Sequence, residues 1–201
     1  MKVGGQKSRT YDSRNRDLAA ARTGYRILQA TEDLFMEGPL ADVTLNAVAG
    51  RAGVTVQTVI RRFGDRAGLI RATAESAAAR VSAQRNAAPP GDVHAGIENL
   101  LDHYETTATL ALKLLAEEHS SADLAAITGA ARQIHRQWCE RMFAPFLEPL
   151  AGTPDHDRRL AQFVAVCDVY TWKLLRRDAG LSRDQVALSL HEMLEPFIRR
   201  P

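Results

Sequence analysis

Gln57 and Arg61 stand four residues apart, a spacing that places their side chains on one face of a helix. Each can make two parallel hydrogen bonds to a planar partner, because the glutamine amide suits adenine and the guanidinium suits guanine. Val59 and Phe63, with the same spacing, would turn towards a core. The pattern predicts a short helix with an exposed polar face that carries Gln57 and Arg61. We call it the reading face, because its side chains could contact base edges. Arg61 could instead pair with Asp65, one turn further on.

Two short helices and the turn between them must hold this face in place. Thr44 is a suitable N-cap for the first helix, and Thr55 for the second. Gly53 can end the first helix in a left-handed conformation, and Val54 can fill the corner. The apolar face of the first helix consists of Leu45, Val48, Ala49 and Ala52. The segment 44–63 therefore predicts a helix-turn-helix, a shape that enters the DNA major groove, and the alternative is a helical hairpin that only packs.

Hydroxyl and cationic side chains occur at the helix starts and beside the reading face, where they suit phosphate oxygens. Residues 1–71 hold twelve Lys and Arg against seven Asp and Glu, a net charge of +5, whereas residues 72–201 carry −3. Positive charge thus collects around the helix-turn-helix, as phosphate binding requires. The residues expected to contact DNA are Thr44, Thr55, Val56, Gln57, Thr58, Arg61, Arg62 and Arg66.

Residues 15–70 resemble the DNA-binding domain of TetR-type transcriptional repressors. The resemblance rests on a long first helix containing residues 26–35, on the helix-turn-helix and on a fourth helix opened by Arg66 and Leu69. The family-typical positions are Thr44, Ala49, Ala52, Gly53, Val54, Thr55, Thr58 and Phe63. Ile60 departs from the family, which commonly has a tyrosine there that contacts a phosphate. Arg62 replaces the family's histidine, and the resemblance implies that it supplies a phosphate contact instead.

The helical period continues through the chain and strand patterns are absent, which predicts an all-α protein. We expect a flexible arm over residues 1–13, which could add DNA contacts or simply fray, and a first helix over 14–37. The predicted domains are 1–71, which holds the arm and the helix-turn-helix, and 72–201, a helical domain for effector binding and dimerisation. A threonine patch at 106–109 suggests a kink. The resemblance implies a homodimer through two long C-terminal helices, near 155–178 and 182–199.

His135, Trp138 and Met142 are spaced three and four residues apart, so they share one helix face. Such a face is either core packing or the wall of an apolar ligand pocket. The resemblance implies a small effector in this domain. The candidate ligand residues are Tyr104, His135, Trp138, Met142, Asp168 and Trp172. Asp168 could be a pocket group, a partner in a buried pair or an edge residue.

Other classes of protein find little support in the sequence. It has no paired carboxylates suited to acid–base catalysis and no nucleophile or phosphate-binding motif, so we predict no enzyme, no cofactor and no metal site. Cys139 and Cys167 lack a metal-ligand spacing and fit a reduced cytoplasm. We expect neither a membrane span nor a signal peptide.

These observations together predict a cytoplasmic, homodimeric, TetR-like regulator without catalytic residues. It would repress from a palindromic operator in double-stranded DNA and would leave it when a small molecule binds. One alternative is an activator or architectural protein that binds DNA without an effector. A second alternative is a helical enzyme or carrier, for which specific duplex binding would be contrary evidence.

Overall fold

A computed structural model describes residues 6–199 of the chain, and the side chains of residues 17–199. Helices and turns make up this part, and no strand occurs in it, so the predicted all-α class is confirmed. The chain divides into two compact units, Met1–Ser76 and Ala77–Pro201. Helix α4 contributes residues to both units.

The first unit is built from three helices and the start of a fourth. Their bounds are α1 Gln6–Glu37, α2 Leu45–Ala52, α3 Val56–Phe63 and α4 Arg66–Arg85. A single 3₁₀ turn, Leu40–Asp42, links α1 to α2. Helix α1 begins well before Arg14, so residues 6–13 are helical and the expected arm is wrong for them. Residues 1–5 of that arm lie outside the described residues.

The second unit contains the remaining helices. Their bounds are α5 Val93–Glu117, α6 Ala122–Met142, α7 Ala144–Leu147, α8 Pro154–Val166, α9 Val169–Lys173 and α10 Arg183–Ile198. A π-helical turn, Leu174–Asp178, follows α9. Helix α5 continues through the threonine patch, where Thr107 Oγ1 donates to the His103 carbonyl at 2.7 Å. The segment expected as one helix over 155–178 is interrupted at Cys167 and Asp168.

The core of the first unit is formed by the inner faces of α1 to α4. Ile27, Val48 and Val59 are fully buried, and Leu69 nearly so. Because α3 has only two turns, burial of Val59 is what fixes the helix against its neighbours. An exposed bidentate pair between Arg51 and Glu37, with N–O distances of 2.8 and 2.7 Å, joins α2 to the end of α1. The helix-turn-helix thus rests on α1.

Aromatic and aliphatic side chains fill the core of the second unit. The rings of Phe143 and Phe163 stack at 4.1 Å between centroids. Gly96 lets α5 approach α6 closely, because an added Cβ would lie 2.8 Å from Met142 Cε. Trp138, Leu190 and Leu194 belong to the same buried cluster. The helices that carry the candidate ligand residues therefore share one core.

Candidate nucleic-acid interface and buried arginine site

Threonine caps set the starts of α2 and α3. Thr44 Oγ1 accepts from Ala47 N at 3.1 Å, and Thr55 Oγ1 accepts from Thr58 N at 3.2 Å. Gly53 between the two helices has φ +64°, a conformation that glycine adopts without steric cost. The caps and this glycine produce the helix-turn-helix predicted from the sequence, which is confirmed.

Helix α3 has a buried side and a solvent side. Val59 is fully buried and Phe63 is half-buried, whereas Gln57, Ile60 and Arg61 are exposed. Among the described side chains, neither Gln57 nor Arg61 makes a hydrogen bond or an ion pair. Asp65, the alternative partner of Arg61, caps α4 by accepting from Gly68 N at 2.7 Å. The two reading residues are therefore available to a ligand.

The two arginines expected at phosphates have different environments. Arg62 is exposed, and its guanidinium lies along Gly24 of α1, where an added Cβ would be 2.3 Å from Nη2. Arg66 is half-buried, and its Nε donates to the Val43 carbonyl at 2.8 Å. Its Nη2 also donates to the Leu40 carbonyl. These bonds engage Nε and Nη2 of Arg66 within the domain, which favours a structural role over the expected phosphate contact.

The remaining candidates lie at the edges of the reading face. Thr44 and Thr55 are exposed, and Val56 and Thr58 are half-buried at the start of α3. Thr55 Oγ1 and Thr58 Oγ1 are 2.9 Å apart, so the two hydroxyls form one polar group at the helix N-terminus. Exposed N–H groups and hydroxyls at such a terminus suit an anionic oxygen.

A buried arginine lies at the centre of the second unit's polar contacts. Arg85, the last residue of α4, is only 3% exposed. Its Nη1 lies 3.1 Å from His135 Nδ1, and its Nη2 donates to Tyr104 Oη at 3.4 Å. Its guanidinium carbon lies 4.6 Å from the centroid of the Trp138 ring. Three of the candidate ligand residues thus surround one cation.

Hydrogen bonds carry this network from Arg85 to the end of α8. His135 Nε2 lies 3.1 Å from the Val164 carbonyl and Tyr104 Oη donates to the Cys167 carbonyl at 2.8 Å. If Nε2 holds the proton, Nδ1 is free to accept from Arg85, so the contacts fit a neutral histidine. Burial, and then the charge of Arg85, lower the pKa of His135 to about 4. The partly negative carbonyl end of α8 faces the buried cation through these two side chains.

No carboxylate pairs with Arg85 among the described side chains, and its Nε has no hydrogen-bond partner. His103 contributes a second neutral imidazole, because burial and then Arg85 lower its pKa to about 3. Burial also raises the pKa of Tyr104 above its usual range. A buried charge without an anionic partner is costly, so this site favours an anion over a cation.

The other three candidate ligand residues have separate environments. Trp172 packs on Tyr104 with 5.9 Å between ring centroids, and its buried Nε1 has no partner. Met142 is buried against Gly96 on the other side of the core. Asp168 is the N-cap of α9, accepting from Tyr170 N at 2.8 Å. Of the three, Trp172 packs on the buried arginine site, which we define as Arg85 with Tyr104, His135, Trp138 and Trp172. Asp168 also lies near it, because its charge acts to raise the pKa values of Tyr104 and His135.

Sequence reasoning missed Arg85. It lies at the end of an alanine-rich stretch and shortly before a proline pair. An arginine in such a place is expected to be exposed at the end of a helix. Only the packing of α4 against α5 and α6 reveals its burial. Among the described residues, no three His, Cys, Asp or Glu side chains are grouped as metal ligands would be.

The first unit has the architecture of a helix-turn-helix domain. Residues 27–73 match the family model of bacterial regulatory proteins, tetR family. The N-terminal domain of this chain is therefore similar to the DNA-binding domain of that family. A crystal structure of a transcriptional regulator from Rhodococcus sp. Rha1 has a similar fold, with a TM-score of 0.60 and 19% sequence identity. The similarity covers 89% of this chain and 99% of that chain.

No curated protein sequence matches the chain. Within the part of the chain that the structure describes, no helix is both long enough and apolar enough to cross a membrane.

Proposed function

We propose that this protein is a TetR-like transcriptional regulator, a cytoplasmic homodimeric repressor that binds a palindromic operator through α3. The observation that carries this proposal is the reading face of α3, where Gln57 and Arg61 are exposed and have no partner among the described side chains, while Val59 is buried behind them. Arg62, Thr44, Thr55 and Thr58 would hold the phosphates beside it. One two-turn helix reads few base pairs, so two copies on a two-fold axis are needed for a specific site.

Exposed apolar and small side chains on α8 and α10 support the dimer. Leu188 of α10 is 59% exposed, and Met193 is 42% exposed. Ala161 and Ala165 are exposed four residues apart on α8, where their small side chains would admit a partner helix. In an isologous interface the same surface of both protomers meets, so each of these residues would contribute to the contact from both copies.

The buried arginine site supports an effector with an anionic group and an apolar body. Such an anion would complete the shell of Arg85, and the rings of Tyr104, Trp138 and Trp172 would contact the apolar part. The last turn of α4 holds Arg85, and the first turn of the same helix holds Arg66 beside the helix-turn-helix. An effector that moved Arg85 would therefore act on the helix that begins in the DNA-binding domain.

Selection of bound duplexes from a random pool tests the first part of the proposal. A palindromic consensus is the expected result, and binding without sequence preference would overturn it. Titration of the protein–duplex complex with acidic aromatic and aliphatic compounds, each beside its amide, tests the second part. We expect tryptophan fluorescence to change and DNA to be released over the same concentration range. Specific DNA binding that no compound alters would favour the effector-independent activator or architectural protein.

A further inference from the structure

Ile60 is an exposed apolar residue on the solvent side of α3. Its side chain is 38% exposed, and no other large apolar side chain within the helix-turn-helix, residues 44–63, is exposed. A single exposed apolar residue is ordinary on a protein surface, so exposure alone says little. The position is informative because Ile60 lies three residues after Gln57 and directly before Arg61. Helical spacing places all three on one side of α3.

The side chain of Ile60 neither fills the core behind α3 nor closes the end of the helix. Val59 fills the core behind the helix, and Gly64 N closes the helix end by donating to the Ile60 carbonyl at 2.8 Å. A hydrocarbon side chain cannot bond a phosphate oxygen or a polar base edge. In the major groove, the apolar group on a base edge is the C5-methyl of thymine.

We propose that Ile60 is a specificity-determining residue that selects thymine by packing on its C5-methyl group. This inference rests on the proposed DNA binding through α3. The helix rise is about 1.5 Å per residue, less than half of the 3.4 Å step between base pairs, so the thymine lies within about one base pair of the base read by Arg61. The β-branched side chain has one preferred rotamer in a helix, so it presents its methyl groups with little loss of entropy.

The test removes the methyl group alone. Each thymine of a selected duplex is replaced in turn by deoxyuridine, in both half-sites, and binding is measured by fluorescence anisotropy. Loss of one buried methyl group should weaken binding by about four-fold per half-site at a single symmetric position. With Ile60→Ala, deoxyuridine at that position should have no further effect, and Ile60→Val should give an intermediate loss. A 5-methylcytosine there should bind more tightly than cytosine to the unmodified protein only.

Gln57→Ala is the matched control, because it shortens an exposed neighbour on the same face and should leave the deoxyuridine effect in place. Urea unfolding midpoints equal to that of the unmodified protein would show that the Ile60 variants are folded. If deoxyuridine weakened the unmodified protein and Ile60→Ala equally at every position, the inference would be wrong while specific DNA binding stood. Failure to select any specific duplex would instead overturn the proposed function.

Discussion

Arg85 Nη1 and His135 Nδ1 lie 3.1 Å apart in the buried part of the second unit. The guanidinium is a permanent cation, so the histidine that accepts from it must be neutral. Protonation of His135 would place a second positive charge against the first and would remove the acceptor. Burial of His135, and then this contact, therefore make the stability of the unit depend on pH.

We expect the free energy of unfolding to fall as the pH is lowered from about 6.5 towards 4. The pKa of His135 is about 4 in the folded protein, below its ordinary value in an unfolded chain. Above pH 6.5 the residue is neutral in both states, and its contribution to stability is constant. Below that pH only the unfolded chain takes up the proton, which costs ~2 kcal/mol at pH 5. Urea unfolding at pH 7 and pH 5 measures this difference.

The control for this prediction is His135→Gln, because a glutamine amide can still donate and accept but does not titrate. The pH dependence should become shallower in this variant. His103, whose pKa is about 3, supplies the part that remains. A variant with the full pH dependence of the unmodified protein would contradict the assignment to His135.

Replacement of Arg85 by methionine should raise the pKa of His135. Burial is the larger cause of its low value and the charge of Arg85 the second, so the pKa should stay below its ordinary value. Methionine keeps much of the length of the side chain and removes the charge. Titration of the imidazole ring protons, followed by nuclear magnetic resonance, measures the shift. Arg85→Lys, which keeps the charge, should leave the pKa low, and an unchanged value in Arg85→Met would contradict the effect of charge.

The sequence predicted the helix-turn-helix closely, because the signals there are local. Thr44, Gly53 and Thr55 each act within a turn of their own position, as a cap or a helix end. The environments of the other candidate residues depend on long-range contacts. The guanidinium of Arg66 reaches carbonyls of the Leu40–Asp42 turn and its neighbour, more than twenty residues earlier. Nothing in the local sequence distinguishes such an arginine from an exposed one that is available to bind a phosphate.

Local sequence patterns predict even less of the contacts in the second unit. The helix-face pattern correctly placed His135, Trp138 and Met142 in the interior, but it could not give their neighbours. Arg85 comes fifty residues before His135, and their contact depends on the packing of three helices. The apolar pattern, which predicted one helix over 155–178, also missed the break at Asp168, where the side chain caps the start of a new helix. The candidate site was therefore predictable as a region and not as a set of contacts.

Arg62 and Arg66 should respond differently to replacement by alanine. Arg62→Ala removes an exposed charge beside the reading face, so it should weaken binding to all duplexes alike and make the salt slope shallower by about one unit. Arg66→Ala removes two hydrogen bonds to carbonyls, so it should lower the free energy of unfolding by ~1–3 kcal/mol. Its salt slope should stay the same when measured on the folded protein. Salt titrations and urea unfolding of both variants check the contrast, and equal salt slopes for Arg62→Ala and the unmodified protein would contradict the phosphate contact.

Arg61→Ala should relax sequence preference at one position in each half-site. A bidentate contact with guanine contributes ~1–3 kcal/mol of discrimination, and Arg61 has no competing partner among the described side chains. The measurement is a comparison of binding to all four bases at each operator position. The salt slope provides the control, because loss of a base contact changes preference more than it changes the number of phosphates neutralised. Unchanged preference at every position would show that Arg61 does not read a base.

Leu188→Glu should dissociate the dimer. In the proposed isologous interface the side chain is buried twice, and burial of one leucine contributes ~1.5–3 kcal/mol, so loss of both copies weakens association by ~3–6 kcal/mol. Sedimentation should then report the 22.1 kDa monomer in place of a species of twice that mass. Operator affinity should fall as well, because each half-site would bind alone. Leu18→Glu on α1 is the matched control, since Leu18 is 58% exposed and Leu188 is 59% exposed. That control should remain dimeric, and a Leu188→Glu protein that also remained dimeric would place the interface elsewhere.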